Sequence, residues 1–311
     1  MRLLRPRVLI ALLAFSVAGC EFAPGDWGDS QRFKEEFSHD YKLSSGGRIT
    51  LESFNGSVEI LGWDQESVSV TGTKYASREE VMRAIKIDVL SDASSLRVRA
   101  VRPLERNCNC GARFLLKVPR KVMLDRIETS NGSLRVESIE GDARLQTSNG
   151  SVKVWSVAGD VNVKTSNGAV ELQKFNGRAD LKTSNGSIKA DDVRGGFSAE
   201  TSNGSISATL GAMDPGRPVV AETSNASVTL NFESWKDHGV RVRTSNGSVN
   251  IGLPAGVNAQ VRADTSHGRI NSDFELAANE IEKDHVDGRI GQGGPLLELR
   301  TTNGNIRLMK R

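Results

Sequence analysis

Between Leu134 and Ile251, apolar and polar residues alternate with a period of two, in short runs that return at a near-constant interval. Counted from the Asn of each Thr-Ser-Asn-Gly tetrad, the third following residue is Leu134, Val152, Val170, Ile188, Ile206, Val228, Val249 and Ile270. The fifth is Val136, Val154, Leu172, Ala190, Ala208, Leu230 and Ile251, and between the two stand Arg135, Lys153, Glu171, Lys189, Ser207 and Thr229. This is the alternation of a strand buried on one face. A second run leads into the next tetrad, with Ala143/Leu145, Val161/Val163, Ala179/Leu181 and Phe197/Ala199 as its inward pairs. No helical period survives in these windows.

The tetrads begin at Thr129, Thr147, Thr165, Thr183 and Thr201, each 18 residues after the last, and continue as variants at Thr223, Thr244, Thr265 and Thr301, with a degenerate unit near Asp287-Gly288. Each unit therefore holds two strands and two turns. One turn lies at Asn-Gly, read as a tight turn because both residues tolerate positive φ. The other lies near Gly141-Asp142, Gly159-Asp160, Gly177-Arg178 and Gly195-Gly196. One such unit cannot bury its own apolar face, so units must stack. The pattern predicts an all-β protein: a parallel β-helix or roll-like β-solenoid of about ten coils of 18 to 22 residues, rising about 4.8 Å per coil. Asn131, Asn149, Asn167, Asn185, Asn203, Asn225, Asn246 and Asn303 are expected to form a side-chain amide ladder along one edge.

Residues 44–121 are less regular and predict a β-rich cap on the first coil, leaving residues 122–311 as the repeat domain. Ser77 and Glu80 have capping-box spacing and predict a short helix over Arg78 to Ala84. Strands are expected near 85–90, 96–101 and 113–118. At the other end, residues 306–311 are expected to form the exposed last strand, protected from aggregation by its charges.

The N-terminus carries Arg2, Arg5 and Arg7, an apolar run from Val8 to Val17, then Ala18-Gly19-Cys20. That is the form of a secretory signal over residues 1–19. Its ending resembles a bacterial lipobox, which implies acylation of Cys20, membrane attachment and sorting to the outer membrane, with residues 20–43 as a polar tether. The formal charge of +3 resides in this segment, so 38 basic residues balance 38 acidic ones in the remainder. Nucleic acid is therefore not an expected partner. Cys108-Asn109-Cys110 is a candidate disulfide, within the loop or between molecules, in an oxidising compartment. Two thiols without a neighbouring His suggest no metal site, and no cofactor motif is present.

The Thr-Ser-Asn-Gly repeats, the Gly62-Trp63-Asp64 turn and the Val118-Pro119-Arg120 step resemble the bacterial putative-adhesin family, over roughly residues 44–311. The resemblance implies a surface-binding role on an envelope-anchored protein, and no specific functional residue. From the residues themselves a non-catalytic scaffold or binder is expected, since no ladder position gathers the carboxylates that polysaccharide chemistry needs. His267 and His285 occupy different repeat positions. Cell-surface polysaccharide or an envelope protein is the expected partner; the alternative reading is a periplasmic stress accessory bound to a membrane partner. Repeat spacing lengthens from 18 to 22 and then 21 residues after Asn203, so loops around 213–218, 234–239 and 254–258 should stack on one edge. Arg217, Trp235, His238 and Asn258 are its candidate binding residues.

Overall fold

A computed structural model describes residues 32–105 and 108–311. The proposed signal sequence and Cys20 lie outside the described residues. The N-terminal part holds β1 (Phe33–Lys42), β2 (Arg48–Glu52), β3 (Val58–Trp63), β4 (Ser67–Ala76), α1 (Glu79–Ala84), β5 (Lys86–Ser91), β6 (Ser95–Val101) and β7 (Cys110–Pro119). The regular repeats give β8 (Met123–Thr129), β9 (Leu134–Glu140), β10 (Ala143–Thr147), β11 (Val152–Ala158), β12 (Val161–Lys164), β13 (Val170–Lys182), β14 (Ile188–Glu200) and β15 (Ile206–Met213). The longer repeats give β16 (Val219–Glu222), β17 (Val228–Phe232), β18 (Val240–Arg243), β19 (Val249–Leu253), β20 (Ala259–Thr265) and β21 (Ile270–Ser272). The chain closes with β22 (Leu276–Ile281), β23 (His285–Ile290), β24 (Leu296–Thr301) and β25 (Ile306–Lys310).

These strands build the β-solenoid that the alternation predicts. Strands leading into a Thr stack in parallel register on one face, as in Ala143 against Val161 against Ala179, and strands following the Gly stack on the other, as in Val152 against Val170 against Ile188. Their inward side chains meet in one continuous core of Val, Ile, Leu and Ala, with Phe175 and Phe232 its largest fully buried members. The second face also has an inward row outside the simple alternation: Ile139, Val157, Phe175 and Val193. Just before each stands a residue in the left-handed region, Ser138, Ser156, Lys174 or Asp192, with φ of 61°, 54°, 52° and 50°. That single twist reverses the parity of the strand, so the eighth residue after the Asn points inward where period two would turn it outward.

The Asn-Gly corner differs from the expected positive-φ turn. Of the glycines at that corner only Gly56 has positive φ, and none of the asparagines does. Gly is needed there because coils touch: a Cβ on Gly150, Gly168, Gly186 or Gly204 would overlap the carbonyl oxygen of the corresponding Gly one coil earlier. Positive φ belongs instead to the opposite turn, at Gly141, Gly159, Gly177 and Gly195. Each buried Thr donates its hydroxyl to the carbonyl at the Gly position of the neighbouring coil, as in Thr165 Oγ1 to Gly150 O at 3.0 Å, with Ala226 taking that position for Thr244. The asparagines form the expected ladder, each Nδ2 donating to the preceding Oδ1 at 2.7–2.8 Å from Asn131 to Asn303. Asn55 extends it by one rung, accepting from Asn131 Nδ2 at 2.7 Å and donating its own Nδ2 to Cys110 O at 2.9 Å.

Coil order in space departs from coil order in sequence at both ends. β6 and β7 precede β8 and β9 directly, yet β2 and β3 lie between them: β2 pairs with β6 and β8, and β3 with β7 and β9. At the far end β24 lies between β18 and β20, and β25 between β19 and β21. Residues 306–310 are therefore an interior strand and not the exposed edge expected from their charges. The true ends are closed by antiparallel strands: β4 on β7, β1 on β4 and β5 on β6 at one end, and β23 on β20 with β22 beyond it at the other. The unit near Asp287-Gly288 is this closing strand and not a further coil.

Two N-terminal features also differ from expectation. Residues 33–42, read as tether, form β1; only Phe33, Phe37 and Tyr41 of that strand turn inward, one residue in four, so its sequence looks uniformly polar. The helix spans Glu79–Ala84 with no side-chain hydrogen bond at its cap, so Ser77 does not form a capping box. Cys108 and Cys110 are joined as a disulfide beside a small cluster of Ala76, Val81, Met82 and Ile85. Two of the three motifs that carry the resemblance, Gly62-Trp63-Asp64 and Val118-Pro119-Arg120, meet in space. Arg120 N–H donates to Trp63 O at 3.1 Å, and the Arg120 guanidinium pairs with Asp64 at 2.6 Å.

Candidate functional site: a polar trench beside the asparagine ladder

Position by position, the repeated residues are consumed by the stack itself, which leaves chemistry to the outward positions that vary. The residue just before each Thr lies on the outer surface of the first face, and strand register brings these residues into one row, which Glu52 and His285 extend at its two ends. In spatial order the row runs Glu52, Glu128, Gln146, Lys164, Lys182, Glu200, Glu222, Arg243, Arg300, Asp264 and His285. From Lys164 to His285 it forms one wall of a trench of about 1150 Å³, whose other side is the outward Ser184, Ser202, Ser224, Ser245, Thr302 and Ser266.

Charges in the row fall in like-sign doublets, Lys164/Lys182, Glu200/Glu222 and Arg243/Arg300, with opposite signs meeting where doublets join. Lys182 Nζ lies 3.1 Å from Glu200, and that hydrogen bond holds the lysine above its ordinary pKa. Arg243 and Arg300 lean on Glu298, at 3.2 and 3.4 Å, and Arg241 reaches it at 3.0 Å. Burial pushes the Glu298 carboxyl up, and the hydrogen bonds and charges of Arg241 and Arg243 outweigh it, leaving a net shift below the usual carboxylate range. At the closed end, His285 Nδ1 lies 2.6 Å from Asp264, and this hydrogen bond raises the imidazole pKa above its ordinary value. His267 is elsewhere, taking the position of Asn in the outermost coil and donating its backbone N–H to Thr302 O. Among the described residues no three His, Cys, Asp or Glu side chains converge as a metal site.

The lengthened loops do stack on one edge. Gly216 N–H donates to Asp237 O at 2.7 Å, and Trp235 Nε1 donates to Asn258 O at 3.0 Å. Three of the four candidate binding residues come together there, but as a brace. His238 is buried, its ring packed 4.9 Å from Trp235 and 5.6 Å from Phe232, so it is not presented to a partner. Burial lowers its pKa, and among the described residues neither ring nitrogen has a hydrogen-bond partner. Asn258 Oδ1 accepts from Gln292 N–H at 2.8 Å. Of the four, Arg217 and Asn258 are exposed beside the loop stack. The sequence does not mark the trench residues as a site, because their types change from coil to coil. Aligning the residue before each Thr recovers the first part of the row. A further outward aromatic is Trp155, 43% exposed on the second face, among Lys153, Glu171 and Gln173.

No protein-family model matches the chain, and no curated protein matches it. Solved structures similar to it include a "putative cell adhesion protein" from Clostridium sporogenes, 13% identical, covering 90% of this chain and 100% of that one with a TM-score of 0.27. A "putative adhesin" from Bacteroides fragilis is 14% identical over 89% of this chain and 97% of that one, with a TM-score of 0.41. A "putative lipid binding protein" from Parabacteroides distasonis is 14% identical over 88% and 96%, with a TM-score of 0.25. The similarity is weak and identifies no specific family.

Proposed function

We propose that this protein is a non-catalytic scaffold and binding module of the bacterial cell envelope, tethered through an acylated Cys20 and presenting its trench to an extended polar partner such as a surface polysaccharide. The observation that carries this reading is the trench: a charged, hydroxyl-lined groove that follows the rod axis over seven coils and so suits a chain-like ligand better than a compact one. Repetition argues the same way, since a Ser or Asn that recurs in every coil serves the stack, whereas catalysis needs one distinct copy. The tether would meet the rod at the end where β1 closes it, so the trench would extend away from the membrane.

Three measurements test the reading separately. Cosedimentation of the purified protein with isolated surface polysaccharide is expected to weaken at least tenfold in a Lys182→Glu/Arg243→Glu variant that keeps its β-sheet circular dichroism. Equal binding by the variant removes the trench from the proposal. Radiolabelled palmitate should enter the wild-type protein and not Cys20→Ser, and protease shaving of intact cells against a periplasmic control reports which side of the outer membrane the rod occupies.

A further inference from the structure

The last described coil, β24 and β25, is a wedge. It separates two coils that follow one another in sequence and carry the same repeat. Val240, Val242 and Thr244 pair with Leu297, Leu299 and Thr301 on one side of it, and Val261, Ala263 and Thr265 pair with the same three residues on the other. The flanking coils are matched to each other as well: Val240/Val261, Val242/Ala263, Thr244/Thr265 and Gly247/Gly268 are each 21 residues apart, the interval that also separates Asn225 from Asn246. The slot can therefore be filled by the wedge or closed by direct stacking of its two walls. Within the described residues, the wedge is joined to the rest of the stack through one segment alone, Gly291-Gln292-Gly293-Gly294-Pro295, in which all three glycines have positive φ. Such a segment is a hinge in composition and conformation.

We infer that the wedge exchanges between copies: β24 and β25 of one molecule occupy the slot of a second and receive its wedge in return. Every contact of the slot is kept in the exchange, including Thr301 Oγ1 to Gly247 O, Asn303 Nδ2 to Asn246 Oδ1 and the Glu298 contacts with Arg241 and Arg243; only the hinge changes its path. The partner is a second copy of this chain. Two copies would meet at the ends opposite β1, rod tip to rod tip. That such a contact joins two tethered rods rests on the anchored reading above; the exchange itself does not.

Asn250 and Arg307 are register partners across β19 and β25 and report on the slot. Full-length Asn250→Cys and Arg307→Cys chains, each in a Cys20→Ser background and differently tagged, are mixed, loosened in sub-denaturing urea, returned to buffer and oxidised. A disulfide between the two tags is expected, rising with protein concentration and absent when either variant is mixed only with itself. The Asn250→Cys/Arg307→Cys chain, closed internally before mixing, checks that the substitutions fold and should remain monomeric. Deleting Gln292 and Gly293 shortens the hinge and is expected to raise the dimer fraction at least tenfold by light scattering. Monomer throughout, or a dimer without the 250–307 crosslink, overturns the proposal. Because all of this is read in solution, a failure here is separable from a failure of anchoring or polysaccharide binding.

Discussion

Asn167 and Gly168 stand side by side in one corner and carry different loads. The Asn167 amide accepts from Asn185 and donates to Asn149 at an exposed rung, each bond 2.7 Å long. Asn167→Ala should therefore cost only about 1 kcal/mol, the net worth of a hydrogen bond whose groups water can reach. Gly168→Ala drives a methyl into the Gly150 carbonyl, between coils that cannot separate without loosening the core. It should cost about 1–3 kcal/mol or more, as overpacking does. Urea midpoints of the two variants check the order; an alanine at Gly168 milder than one at Asn167 would contradict the close-approach account. The two histidines titrate with opposite sign. Burial holds His238 neutral, so stability present above pH 6.5 is lost as pH falls and the unfolded chain takes up the proton. The Asp264 bond raises the pKa of His285, so its contribution is full below pH 6.5 and is lost as pH rises through the folded value. Melting temperature against pH should show His238→Phe gaining in acid and His285→Gln losing there.

At the scale of the element, the left-handed residue before each third inward side chain is the feature the alternation conceals. Ser138, Ser156, Lys174 and Asp192 have no side-chain type common to all four, so nothing in the sequence marks their conformation, and Ile139, Val157, Phe175 and Val193 lie out of phase with the rows on either side. Lys174→Gly should be neutral or stabilising by up to about 1 kcal/mol although it places glycine inside a strand, because the residue already occupies αL. Lys174→Val should destabilise by about 1–2 kcal/mol or more, since a β-branched side chain tolerates that region poorly. Equilibrium unfolding of the pair decides it. The two rows that obey period two were fully legible, as was the Asn ladder, because both depend on positions that repeat every 18 residues. The charged strand β1 was not, with inward residues too sparse to show a pattern. The late-loop edge was half legible: uneven spacing locates the stacked loops, but nothing local says that His238 turns in among Phe232 and Trp235.

For the whole molecule, the order of coils is what sequence could not supply, because identical tetrads fit equally well against any neighbour. The Arg300 and Asp264 positions of the trench are interchanged relative to chain order for this reason. The consequence is measurable. Truncation after Thr302 removes β25, and hydrogen exchange should then lose protection in β19 and β21 together while β11 and β13 keep theirs. A strand at an outer edge would disturb one neighbour only. Stability should thus be distributed unlike that of a simple stack, whose outermost repeats fray first.

Interlocked first and last coils also decide where such a rod can grow. A new unit placed next to β2 and β3, or next to β24 and β25, would have to be fitted into an out-of-order junction, with its crossing connections lengthened to match. A unit placed between Thr129 and Thr201 meets neighbours of identical spacing on both sides. Tandem duplication of residues 148–165 would lengthen the molecule by one step of about 4.8 Å and leave both junctions intact. Reach is accordingly the property that a single copying error in the gene can change most cheaply, and the four unbroken 18-residue steps in that stretch are the pattern such a history would leave.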